Sequence, residues 1–220
     1  MVAITMKSIV LFLFLSTSVC CFKHAVSLSC EEIRAFVDGH NTYRHRVARG
    51  EIAGQPPASD MKMMVWDEEL AAKASQWAKR NLRNHNPDKT VRSNRFTVGE
   101  SMHWYATTDL EAVLKPESVL KSWFSEHVNY TFGPLKRSDF QKEYHIGHYT
   151  QMVWSNSVYV GCGISKTTNS RMNKFFTVCN YGPGGNYMGE KPYKVSSGRN
   201  NKLICDAQEK CDNPYGSKCG

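Results

Sequence analysis

Two blocks near the middle of the chain constrain it most: Gly147-His148-Tyr149-Thr150-Gln151-Met152-Val153-Trp154, and Phe176-Thr177-Val178-Cys179-Asn180-Tyr181-Gly182-Pro183-Gly184-Gly185-Asn186. A histidine at the head of a short apolar run, followed downstream by Cys162 and Cys179, is not ordinary core sequence. The first block reads as a short helix carrying a titratable side chain. The apolar runs Tyr159 to Lys166 and Phe175 to Tyr181, joined by the polar turn Thr167 to Asn173, read as two strands that a Cys162–Cys179 bridge can link.

The remaining elements follow from periodicity. Ile33, Phe36, Val37, His40, Tyr43, Arg44 and Val47 recur at helical spacing behind the acids Glu31 and Glu32, which suit a helix start. Asp67 to Asn84 reads as a second helix with the stripe Leu70, Ala74, Trp77, Ala78 and Leu82, and His85 continues its Ala74–Ala78 face. Phe96, Val98, Glu100, Met102 and Trp104 alternate as in a half-buried strand. Pro116 opens a third helix reaching about Tyr130, with Val119, Leu120, Trp123 and Phe124 apolar and Glu126 on the same face. Glu51 to Met61 and Gly133 to Glu143 read as loops.

Met6-Lys7-Ser8, the apolar run Ile9 to Leu15 and the small residues up to Cys20 form a secretory signal peptide, assigned to residues 1–21, since a membrane span needs roughly 20 apolar residues. The expected location is extracellular, with no transmembrane segment. About 200 residues remain, enough for one domain with a sizeable core. If Cys20 and Cys21 both leave, Cys30, Cys162, Cys179, Cys205, Cys211 and Cys219 remain, an even set for three disulfides; cleavage before Cys21 leaves one free thiol. No close C-x-x-C pair in this part suggests a zinc–cysteine site. The net charge of +8 becomes +7 without Lys7. Basic residues thicken at Arg80, Arg83, Lys89, Arg92 and Arg95; the plain reading is a solvated loop, the functional one a contact for acidic glycans or anionic lipid. Nothing points to nucleic acid.

His85, Glu100 and Glu126 fall on faces turned toward the core. A carboxylate there costs several kcal/mol unless it is paired or binds a cation, and histidines are the natural partners.

The two blocks resemble the signature motifs of the CAP superfamily, the cysteine-rich secretory, antigen 5 and pathogenesis-related proteins, and most nearly its venom-allergen-like members; the second block differs at Thr177, where an apolar residue is usual. The resemblance spans roughly Glu31 to Tyr193. It implies an α+β fold, a three-layer α-β-α sandwich with a central antiparallel sheet, covering 22–193, with a disulfide-stapled tail at 194–220. It implies that Cys162 and Cys179 are bridged, leaving the pairing of Cys30, Cys205, Cys211 and Cys219 open. Only three cysteines follow Lys202, so the ten-cysteine channel-blocking domain of some relatives is not expected.

By motif position the resemblance gathers His85, Glu100, Glu126 and His148 around one cavity. Three readings compete: a divalent-cation site for Zn or Mg, a hydrolytic site in which a Glu activates metal-bound water, and a structural ionic network. Ser101 adjoins Glu100, yet strand alternation turns the two to opposite faces, which argues against a Ser-His-Glu relay and against an enzyme. The superfamily also binds lipid. A fatty-acid tunnel here would run between Phe36, Val37, His40 and Tyr43 of helix one and Tyr149, Met152 and Val153 of the short helix, residues that any helix–helix core also contains. The loop Phe132 to Tyr144, with Phe132, Phe140 and Tyr144, corresponds to the sterol-binding stretch of relatives, without the usual aromatic spacing. His40-Asn41-Thr42-Tyr43-Arg44 matches a block in which the Asn and Arg hold neighbouring segments together. Asn129-Tyr130-Thr131 is a glycosylation sequon. The function expected is secreted binding of a sterol or fatty acid; the alternatives are a protein engaging an extracellular receptor in the manner of an allergen or immunomodulator, and a metal-dependent hydrolase.

Overall fold

The computed structural model describes residues 22–220, so the signal-peptide expectation for 1–21 lies outside the described residues. Helix α1 (Cys30–Ala48) starts at a capping box in which Ser29 and Glu32 satisfy each other's backbone N–H groups. It buries Ile33, Phe36, Val37, His40, Arg44, Val47 and Ala48. Helix α2 (Glu68–Arg80) is capped by Asp67, whose carboxylate accepts the N–H groups of Glu69 and Leu70. It ends earlier than the apolar stripe suggests: Asn81 adopts φ 53° and stops the helix, so Leu82 is exposed and His85 lies in a loop rather than on the helix face.

Five strands form one sheet in the order β1 (Phe22–Val26), β4 (Tyr159–Thr168), β5 (Asn173–Gly182) and β3 (Gly99–Thr107), with β2 (Val65–Trp66) paired to β4. The long strands are antiparallel, but β2 runs parallel to β4, so the sheet is mixed. β3 starts at Gly99, later than Phe96, and β1 carries no separate signal in the sequence.

The layers follow from which backbones approach the sheet. α2 lies on one face, close enough that a Cβ on Gly163 would stand 2.5 Å from Ser75; a Cβ on Gly161 would strike the Ala71 backbone. The other face is covered by α1, α3 (Pro116–Ser125) and α4 (Gly147–Met152). α3 holds its whole apolar set but stops short of the expected reach to about Tyr130, giving way to a 3-10 turn at Glu126–Asn129. Arg44 crosses this side fully buried, donating to the carbonyls of Lys62, Met152, Trp154, Ser155 and Ser157. Asn41 bonds both the N–H and the C=O of Met64.

Cys162–Cys179 links β4 to β5 at directly paired positions. The tail closes through Cys205–Cys211 and through Cys30–Cys219, which ties it to the start of α1. Among the described residues no helix is long and apolar enough to cross a membrane.

Candidate functional site

β3 is an edge strand, and its side chains divide the site. Gly99, Ser101 and His103 share a face with their partners Tyr181, Cys179 and Thr177; Tyr181 on that face bonds His40 of α1. Glu100 pairs with Asn180, whose amide donates to Leu70 O, so Glu100 lies on the α2 side.

On that side Glu100 Oε1 meets His85 Nδ1 at 2.8 Å and accepts the N–H of Asn86 at 2.9 Å. The carboxylate side chain is 1% exposed against 57% for the imidazole, and Oε2 is buried without a protein partner. The cost of that buried oxygen calls for a water or a cation beside it. His85 reaches Glu100 through its loop, and its ring points outward rather than into the core.

On the other side Glu126 follows α3, and its Oε1 meets His148 Nδ1 at 2.6 Å. Oε2 accepts the backbone N–H groups of His148 and Tyr149. Trp123 stacks on the His148 ring at 5.6 Å between centroids, 11° from parallel.

Each carboxylate thus has a histidine partner, in two pairs. Among the described residues no three His, Cys, Asp or Glu side chains converge to hold a metal ion. The donor chemistry nevertheless suits one: each imidazole gives Nδ1 to a carboxylate and keeps Nε2 free, the arrangement by which a carboxylate orients a metal-binding histidine. His103 is a third imidazole that the sequence reading passed over. Burial, reinforced by the charge of His148, lowers its affinity for protons. Its signal was the alternation that also places Ser101.

Ser101 does turn away from Glu100, but toward Tyr181, and is 1% exposed there. A nucleophile buried to this degree is closed to a substrate.

The residues assigned to an acyl tunnel are packed. Phe36, Val37, His40, Tyr149, Met152 and Val153 are 0% exposed. Tyr43 stacks on Phe124 of α3 at 4.0 Å, and Phe124 meets Tyr149 edge-on at 5.4 Å, so a ring of α3 stands between the two proposed walls. His40 is a satisfied core histidine: its ring nitrogens bond Phe36 O and Tyr181 OH, and burial pushes its pKa down to about 4. In the loop, Phe132 packs on Tyr193, while Phe140 and Tyr144 are each 42% exposed. The Phe140 ring lies against Gly147, beside His148. Asn129 is exposed at the end of the 3-10 turn.

The basic stretch does not act as one patch. Arg95 is held by Asp67 and Glu69 and lies over the Phe96 ring; Arg83 turns instead to Trp104.

The model of the cysteine-rich secretory protein family, CAP, matches residues 37–181. Venom allergen 5 of Rhynchium brunneum is 38% identical over 172 residues, covering 75% of this chain and 73% of that protein. Venom allergen 5 of Polistes fuscatus is 37% identical, covering 74% and 79%. Among solved structures, NaASP2 with Zn2+ is 31% identical with a TM-score of 0.62, covering 76% of this chain and 87% of that one. The venom allergen-like protein 4 of Schistosoma mansoni is 30% identical with a TM-score of 0.60, covering 77% and 97%.

Proposed function

From the premise that the chain belongs to the cysteine-rich secretory protein (CAP) family, as a venom-allergen-like member, we propose that it is a secreted, non-enzymatic protein that binds a sterol or fatty acid beside a divalent-cation site. Three disulfides support an oxidising, extracellular setting. The observation that carries the lipid reading is the pair of exposed aromatics Phe140 and Tyr144, on a loop whose Phe140 ring abuts Gly147. Apolar rings held in solvent at the rim of a polar site suit an amphiphile with one polar end.

For the cation, each pair would act separately on its own side of β3: His148 would supply Nε2 with Glu126 orienting its ring from behind, and His85 would supply Nε2 with Glu100 behind it. A single imidazole is far fewer than the four protein ligands of a closed zinc site, so water would fill most of the shell and exchange would be easy. Support from a relative is that one solved CAP structure, NaASP2, was determined with Zn2+.

Organic extraction of the purified protein followed by mass spectrometry, then sterol and fatty-acid binding after delipidation, tests the first part. Uptake weakened by Phe140→Ser or Tyr144→Ser is expected; an empty protein that takes up neither lipid overturns it. Calorimetric titration of zinc and magnesium into the wild type and a His85→Ala, His148→Ala double variant tests the second; equal heats remove the cation site. A second reading, an allergen-like protein engaging an extracellular receptor, draws on the names of its relatives, and the first experiment separates it by finding no lipid.

A further inference from the structure

The far end of the sheet, where β3 finishes and the β4–β5 hairpin turns, carries a feature that neither His–Glu pair explains. On the α2 side Trp104 stacks on Phe176 at 4.5 Å, and the Arg83 guanidinium lies 6.0 Å above the Trp104 ring. On the opposite side Tyr105 stacks on Phe175, and the Lys166 ammonium lies 5.4 Å over Phe175. Both faces of one sheet end thus present a cation over an aromatic pair. Lys174, paired with Ala106, and Arg171 in the hairpin add exposed positive charge.

The connection after β3 brings aliphatic surface to the same place. Asn173 Nδ2 donates to the carbonyls of Asp109 and Leu110, fixing that loop against the hairpin. Leu110 is 42% exposed and Val113 75%, with Trp104 at 36% and Tyr105 at 42%. The acids here are Asp109, which caps the N–H of Glu111, and Glu111 itself. Among the described residues Arg83, Lys166, Arg171 and Lys174 make no ion pair with them or with other acids.

We propose that this sheet end docks on the surface of an anionic phospholipid bilayer. Aromatic rings with a polar tip settle at the headgroup level, aliphatic side chains enter the acyl boundary, and the cations meet lipid phosphates. The aliphatic residues decide against a sulfated glycan, which would use the cations and rings but gain nothing from Leu110 and Val113. The surface is distinct from the Phe140–Tyr144 ledge, so the inference stands whichever lipid that ledge takes.

Cosedimentation with vesicles of phosphatidylcholine plus phosphatidylserine, against phosphatidylcholine alone, tests it. The wild type is expected to partition onto the anionic vesicles and to be released by salt. Lys174→Gln should weaken partitioning about fivefold, the worth of one cation at a charged membrane, and Val113→Ser by a similar factor through lost apolar area. Both side chains are exposed, so unchanged melting temperatures verify that the fold is intact. No binding to anionic vesicles, or binding by both variants equal to the wild type, overturns the proposal. So does heparin binding that Lys174→Gln weakens and Val113→Ser leaves unchanged, if vesicles are not bound; that result assigns the patch to a sulfated glycan.

Discussion

Glu126 clamps the first turn of α4 through His148: one carboxylate oxygen takes the ring Nδ1 at 2.6 Å, the other the backbone N–H of the same residue at 2.9 Å and of Tyr149 at 3.1 Å. Ile146, at the N-cap of α4, offers no side-chain cap, so Glu126 performs from another element what Asp67 performs locally for α2.

Glu126→Ala should therefore destabilise the metal-free protein by about 2 kcal/mol, the scale of a lost charged cap. Urea unfolding in the presence of a chelator measures it. If Glu126 served only a cation, stability under chelator would not change.

His40 makes stability depend on acid. In the folded protein it stays neutral down to a pKa of about 4, whereas the unfolded chain takes up the proton near 6.5. Between these values the unfolded state binds more protons, so stability rises with pH across the window and falls as pH drops from 6.5 to 4. The loss is at most about 3 kcal/mol. Unfolding free energies of wild type and His40→Asn, compared across that window, should show a shallower slope in the variant.

Arg44 organises the segment after α4, which has no regular structure to occupy its carbonyls. One guanidinium donates to Met152 at the end of α4, to Trp154, Ser155 and Ser157 in that segment, and to Lys62 outside it. Arg44→Ala should cost about 4 kcal/mol, and Arg44→Lys should recover only part, because an ammonium has three donors and no planar fork. Denaturant midpoints of the two variants test the order.

Legibility in the sequence followed the strength of each periodic signal. α1 reads cleanly because the acids Glu31 and Glu32 mark its start and six of its seven stripe positions, all but Tyr43, are buried. α2 reads too long because Leu82 happens to keep the apolar spacing, while the stop comes from the left-handed Asn81, a polar residue that leaves no mark on the stripe. β2 has two residues, too few for any alternation. At the site, core-facing carboxylates announce a need for partners, and pairing each Glu with a His follows from charge. The division into two pairs does not, because it depends on β3 being an edge strand with Glu100 on one side and α3 and α4 on the other, a fact of strand order that local pattern does not encode. The core histidine His40 reads like a ligand for the same reason: its partner Tyr181 is 141 residues away.

The tail cysteines differ in what they hold. Cys205–Cys211 spans a sequence separation of 6, Cys30–Cys219 one of 189. On loop-closure entropy the short bridge contributes about 2 kcal/mol and the long one about 5. The long bridge also sets Cys219 in the main core, where Arg34 donates to its carbonyl and lies over the Tyr215 ring. Replacing Cys30 and Cys219 together by Ser should therefore lower the unfolding midpoint far more than replacing Cys205 and Cys211. It should also free the tail, detected as faster proteolysis after Lys210 or Lys218. Equal losses from the two double variants would show that the tail is held by its packing against Trp66 and Glu68 rather than by the bridge.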